Sequence, residues 1–158
     1  MIKSIGIFCG SSVGSKAEYA HQASVLGRLM VEYNIRMVYG GGNVGLMGAI
    51  ADAMVEAGGD VIGVIPDFLL TKELAHAGVK DMRVVKSMSD RKNLIVDLSD
   101  AYIAMPGGFG TFDEVMEVIT YLQLGVGEKP VAFLNTLGYY DAMKLMLSRS
   151  VEDQFIKT

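Results

Sequence analysis

Short apolar runs alternate along this chain with longer stretches in which apolar residues return every three or four positions. The first pattern suits a buried strand and the second an amphipathic helix. Residues 2–9 (IKSIGIFC) predict a strand, and 15–33 a helix with Ala20, Ala23, Leu26, Leu29 and Met30 on one side. A strand at 36–39 runs into Gly40-Gly41-Gly42, and a helix at 45–57 stops at Gly58-Gly59, a favourable helix end. A third strand at 61–65 is closed by Pro66, while 67–80 fits neither pattern. Beyond it the alternation predicts strand 82–86, helix 88–98, strand 101–105, helix 111–124, strand 130–134 and helix 139–149.

Strands that are apolar on both faces, alternating with helices, predict an α/β fold: a doubly wound parallel sheet with helices on both faces, three layers in all. No repeat, linker or low-complexity segment divides the chain, so residues 1–158 form one domain. In such sheets ligands bind beyond the carboxyl ends of the strands. Glycine- or serine-rich turns follow the predicted strands ending at Cys9, Tyr39 and Met105. The ligand edge therefore includes Gly10, Ser11, Gly41 and Gly42.

Composition narrows the function classes. Hydrophobic residues are 51% and charged residues 20%, a globular balance rather than a disordered one. Net charge is −4 with the basic residues scattered, which argues against nucleic-acid polymers and anionic membranes as partners. One cysteine, Cys9, excludes an intrachain disulfide and a multi-cysteine zinc site, and its apolar neighbours read it as a core residue. No apolar stretch approaches the ~20 residues that cross a bilayer, and no signal-peptide pattern opens the chain, so a cytoplasmic protein is expected. His21 and His76 lack metal-ligand spacing, and His21 is expected on a helix surface. Neither a metal nor a cofactor is expected.

Gly40, Gly42 and Gly45 satisfy G-x-G-x-x-G between a strand and a helix, a turn that brings backbone amides close to a phosphate. A dinucleotide site also needs an acidic residue about 20 positions on. Asp67 lies beyond Pro66 and fits poorly, so the dinucleotide reading is disfavoured. Pro106-Gly107-Gly108-Phe109-Gly110-Thr111 is the more unusual loop. It lacks the lysine of a triphosphate-binding loop, which argues against that chemistry. Thr111 is expected to cap the following helix, and Thr111-Phe112-Asp113-Glu114 has the form of a capping box. Glu114 is then either a structural cap, or a carboxylate beside a bound phosphosugar, or both. Arg91 and Lys92 stand near a helix start, where cations oppose the helix dipole, so either a bound anion or plain solvation accounts for them.

The series from Arg91-Lys92 through Ser99-Asp100-Ala101-Tyr102-Ile103-Ala104-Met105 to Pro106-Gly107-Gly108-Phe109-Gly110-Thr111-Phe112-Asp113-Glu114 closely resembles the Lonely Guy (LOG) family. Its members are cytokinin riboside 5′-monophosphate phosphoribohydrolases with the signature P-G-G-x-G-T-x-x-E. Phe8-Cys9-Gly10-Ser11-Ser12, Gly40-Gly41-Gly42-Asn43-Val44-Gly45-Leu46-Met47-Gly48, Gln123-Leu124-Gly125, Lys129-Pro130-Val131, Leu134-Asn135 and Gly138-Tyr139-Tyr140-Asp141 extend the likeness over nearly the whole chain. The resemblance implies a Rossmann-like homodimer. It also implies cleavage of the N-glycosidic bond of an N6-modified adenosine 5′-monophosphate, releasing the base and ribose 5-phosphate.

By the same resemblance Arg91 and Glu114 are the catalytic pair. Glu73, Lys92, Thr120 and the 108–114 loop, with Gly107, Gly108, Phe109, Gly110 and Thr111 around it, contact the nucleotide. The family commonly has His where this chain has Ser89, so a contact near Arg91 is expected to differ. The chain ends at Thr158, short of the family's usual C-terminal helix, which bears on closure of the base pocket and on dimer packing. Two rival readings stay open: a nucleotide-binding protein that holds AMP without turnover, and a pyridoxal-phosphate amino-acid decarboxylase. A small single domain with no clear lysine for that cofactor weighs against the second.

Overall fold

A computed structural model describes residues 1–70 and 75–156. Six strands, β1 (Ser4–Phe8), β2 (Arg36–Tyr39), β3 (Val61–Pro66), β4 (Asp81–Val85), β5 (Ala101–Ala104) and β6 (Val131–Phe133), form one sheet. Its order is β4-β3-β2-β1-β5-β6 and every pairing is parallel. Between the strands lie α1 (Ala17–Glu32), α2 (Gly45–Glu56), α3 (Met88–Leu98) and α4 (Phe109–Gln123), and α5 (Asp141–Glu152) follows β6. The interior strands β1 and β3 are buried at every position, as continuous apolar runs in a covered parallel sheet should be. The edge strands β4 and β6 are only partly covered.

Alternation along the strands sorts side chains into two cores. Ile5, Ile7, Met37 and Tyr39 pack with Ala23 and Met30 of α1 and Ile50 and Met54 of α2. Phe8, Val38, Ile62 and Val64 pack on the other face with Ile95 of α3 and Val115 and Val118 of α4. Each fully buried Ile or Met contributes roughly 1.5–3 kcal/mol of transfer free energy. The three-layer, doubly wound α/β expectation is met.

Helix ends follow local chemistry. Gly58 takes φ +76 after α2, and the Gly58 and Gly59 amides donate to Val55 and Met54 carbonyls, closing the last turn as expected for that glycine pair. Asn34 does the same after α1 at φ +53. Most observed boundaries lie within two residues of the expected ones. The described residues of the 67–80 segment include a 3-10 turn, Asp67–Leu69, and an antiparallel bridge between Gly42 and Ala75. α4 departs from expectation, because it begins at Phe109, with Gly108 as its cap and no side-chain cap bond. Thr111 is therefore inside the first turn, and no capping box forms there. Three residues before Thr111, the backbone of Gly108 can already accept the first helical bond, from the Phe112 amide at 3.0 Å.

Candidate active site

The winding of the sheet reverses between β1 and β5, the position at which open α/β sheets bind ligands. The turns beyond these strands are tied together, since the Gly10 amide donates to the Pro106 carbonyl and the Leu46 amide to the Gly10 carbonyl, both at 3.0 Å. Above them opens a cleft of about 210 Å³. Gly10, Ser11 and Gly40 line it together with Met47, Met88 and Arg91. Gly108, Phe109, Gly110, Thr111, Asp113 and Glu114 of the α4 start complete it.

Arg91 stands in the first turn of α3 but points inward and is only 6% exposed. A buried cation must be hydrogen bonded or it is expelled. Its Nε donates to the Val64 carbonyl at 3.2 Å and its Nη2 to the Gly40 carbonyl at 2.9 Å, while Nη1 lies 3.8 Å from Met88 Sδ. These are carbonyls of β3 and of the turn after β2, so sheet geometry fixes the guanidinium. This placement accounts for a cation near a helix start. Gly40 makes room for it, since a Cβ there would lie 1.9 Å from Arg91 Nη2.

Glu114 is half-buried on α4 and faces the same cleft. Cys9 senses both charges. Burial pushes its thiol pKa up, Glu114 adds to the rise and Arg91 opposes it. The cysteine is thus a buried, protonated core residue, as its apolar neighbours predicted.

The first-turn amides of α4, on Phe109, Gly110 and Thr111, precede the first intrahelical bond and border the cleft. No acidic residue stands in that first turn, so nothing there offsets the positive end of the helix dipole. Thr111 is buried against Gly107, where a Cβ would sit 2.1 Å from Thr111 Oγ1 and 2.8 Å from the Gly10 amide nitrogen. Only a bare α-carbon permits that approach. Phe109, by contrast, is 92% exposed at the rim. This constellation can bind an anion at α4, with a carboxylate and a fixed guanidinium beside it.

The other expected residues fall elsewhere. Gly107 borders a neighbouring pocket with Gly10, Ser11, Gly108, Tyr19 and Tyr139, and the Tyr139 hydroxyl donates to the Gly107 carbonyl. Gly41 and Gly42 are buried beneath the cleft, where the Gly41 carbonyl accepts from the His76 amide at 3.1 Å, and the cleft itself is lined by Gly40. Lys92 reaches α4, and Thr120 is exposed on α4 with its hydroxyl donating to the Met116 carbonyl; neither lines the cleft. Ser89 is exposed in the first turn of α3. Glu73 lies outside the described residues. His21 is on the surface, and His76 is buried, with Nδ1 accepting from the Gly78 amide and Nε2 bonded to Asp52. Sequence reasoning placed Gly40 and Met47 only within the 40–48 series, not as cleft residues, and missed Met88, which nothing in the local pattern marks.

The model of a family described as "Possible lysine decarboxylase" matches residues 47–158. The probable cytokinin riboside 5′-monophosphate phosphoribohydrolase LOG6 of Arabidopsis thaliana is 47% identical over 98% of this chain and 77% of its own length. The phosphoribohydrolase LOG1 of the same plant is 46% identical over 98% and 72%. The chain belongs to the LOG family. Among solved structures, the molybdenum cofactor carrier protein of Chlamydomonas reinhardtii shares the fold, with a TM-score of 0.75 at 24% identity over 96% of this chain and 86% of that one. The decarboxylase wording of the family description does not suit this site. Among the described residues no lysine lines the cleft to hold pyridoxal phosphate covalently, and Lys92 is engaged with carboxylates. A LOG-family site fits better, since the P-G-G-x-G-T-x-x-E run folds here into the anion-ready start of α4 with its glutamate in the cleft.

Proposed function

We propose that this chain hydrolyses the N-glycosidic bond of a nucleoside 5′-monophosphate of the N6-modified adenosine type, yielding the free base and ribose 5-phosphate. The observation that carries this is Glu114 and the buried Arg91 in one cleft with the open amides of α4. The 5′-phosphate binds at Gly108, Phe109, Gly110 and Thr111, so a nucleoside lacking it should be a poor substrate. As the C1′–N bond breaks, its electrons leave with the base and the ribose gains oxocarbenium character. Glu114 stabilises that charge and accepts a proton from the attacking water, whose oxygen bonds to C1′; the departing base takes up a proton. Arg91 acts by charge, holding the substrate and supporting the negative charge that develops on the base.

The reading includes Gly10, Ser11, Gly41, Gly42, Thr120 and Glu73 as nucleotide-side residues, a cytoplasmic location, and a homodimer, whereas Lys92, expected there from the family resemblance, is engaged with Asp113 and Glu117 and is read as acting through α4. Supporting the dimer is a set of exposed apolar side chains, Leu124 (68%), Val126 (73%), Leu145 (73%) and Phe155 (84%), which a second copy would cover. Light scattering at micromolar concentration checks it, with a monomer mass as the contrary result. The activity itself is tested by chromatography of reactions with AMP and isopentenyladenosine monophosphate beside the matching nucleosides. Base released from the monophosphates alone is the expected result. Binding of AMP without any release would replace the hydrolase with a nucleotide-holding protein.

A further inference from the structure

Arg91 and Lys92 are adjacent on α3, yet successive helical residues point about 100° apart. Arg91 turns into the sheet, whereas the Lys92 ammonium crosses to α4. There it meets Glu117 Oε2 at 2.6 Å and Asp113 Oδ2 at 3.1 Å. Asp113 immediately precedes Glu114, and Glu117 lies one turn beyond it on the same side of the helix. The ammonium therefore bridges α3 to α4 on both sides of the cleft carboxylate. Glu117 is itself held, since its Oε1 accepts from the Tyr121 hydroxyl at 2.6 Å.

This is not an ordinary surface pair. The Lys92 and Glu117 side chains are 20% and 23% exposed, against 72% and 65% for Arg149 and Glu152, which stand 3.7 Å apart. Apolar contacts such as Ile95 with Val115 also join the two helices to the core, but they are non-directional and tolerate sliding. The hydrogen bond from Lys92 Nζ to Asp113 Oδ2 at 3.1 Å supplies a fixed direction, and the 2.6 Å ion pair with Glu117 Oε2 draws the same two helices together. The Glu117 carboxylate, accepting close against the ammonium, is also the main reason that the Lys92 pKa lies above its ordinary value.

We propose that Glu117 is a positioning residue: through Lys92 it fixes the spacing of α3 and α4, and with it the separation of Arg91 and Glu114. This rests on the reading of Arg91 and Glu114 as the reacting pair.

The test uses Glu117→Ala, Glu117→Gln, Lys92→Met and the Glu117→Ala/Lys92→Met double variant, with Glu152→Gln on α5 as control and thermal unfolding to verify the fold. Two readouts are taken: kcat and KM for base release, and the Arg91 Nε–H resonance in nitrogen-15 spectra, assigned by its loss in Arg91→Lys. Glu117→Ala and Lys92→Met should each lower kcat on the order of 10- to 100-fold, as small misplacements of reacting groups do, with KM within about 2-fold. The double variant should be no worse than the poorer single one, because both remove one interaction. Glu117→Gln should recover part of the loss, and it carries the test if the alanine variant does not fold. The Arg91 signal should move in both single variants and stay in Glu152→Gln. A raised KM in Lys92→Met alone, with Glu117→Ala at full kcat, would mean that Lys92 touches the nucleotide directly, and the proposal fails. If the wild-type chain releases no base, the hydrolase reading fails instead, and an unmoved or moved Arg91 signal still decides the positioning claim.

Discussion

At the scale of single residues, the site is made of exchanges that allow little substitution. Glu114 tests the chemistry. Glu114→Ala should lower kcat by about 10²-fold or more, the range for a positioned acid–base or electrostatic group. Glu114→Gln separates its roles, because an amide can orient ribose hydroxyls but can neither balance positive charge nor take a proton. Equal losses in the two variants would assign the charge, whereas full activity in Glu114→Gln would remove Glu114 from the proton step. Gly40, read from the sequence as a phosphate-loop glycine, turns out to hold Arg91. A Cβ there would enter the space of Arg91 Nη2, whose partner is the Gly40 carbonyl itself. Gly40→Ala should therefore lose activity to about the degree of Arg91→Ala, while adding a strain cost of roughly 1–3 kcal/mol. A Gly40→Ala enzyme with wild-type kcat would mean that the observed guanidinium position is not needed for turnover.

At the scale of elements, periodicity revealed nearly all of the layout, because each helix and strand owes its place to which of its faces is apolar. The start of α4 was harder to read. Thr111-x-x-Glu114 looks like a capping box, yet Gly108, Phe109 and Gly110 turn into the helix earlier, since phosphate-type loops bring backbone, not side chains, to the front. The side-chain cap stands instead on α3, where Ser87 Oγ accepts from the Asp90 amide at 3.0 Å and donates to Asp90 Oδ2 at 2.7 Å. Arg91 was legible as a site residue through the motif series, but its burial was not, because its acceptors lie 27 and 51 residues away on the backbone. Nor was His76, whose partner Asp52 is 24 residues distant with no periodic relation. Ser87→Ala should cost about 1 kcal/mol, or a fall of roughly 2–4 °C in Tm for a domain this size. Ser87→Gly should cost only a few tenths. Calorimetry showing the two equal would mean that the hydroxyl does not cap the helix that carries Arg91.

At the scale of the whole molecule, the reacting end of the sheet lies opposite the carboxylate that ties the starts of β1 and β5 together. Asp100 precedes β5, and its Oδ2 accepts from the Lys3 and Ser4 amides at 2.8 and 3.0 Å, tying the start of β1 to that of β5. These two amides, Lys3 first, hold the Asp100 carboxyl below the usual carboxylate range. Arg83 does the same for Asp81 through its hydrogen bonds, and Gln22 followed by His21 for Glu18. A carboxyl whose pKa is lower when folded than when unfolded adds stability above its unfolded value, near 4, and loses it as pH falls through the folded value. Tm should therefore hold level on this account from neutrality to about pH 5, then fall steadily below pH 4. Asp100→Asn keeps an oxygen for the two amides but cannot titrate, so its Tm should decline less steeply over the acid range than that of the wild type. The cleft lies at the opposite, carboxyl end of the strands, so base release at neutral pH should be unaffected. An unchanged acid slope in Asp100→Asn would assign the response to the other carboxylates, and loss of turnover at neutral pH would show that the two ends of the sheet are coupled after all.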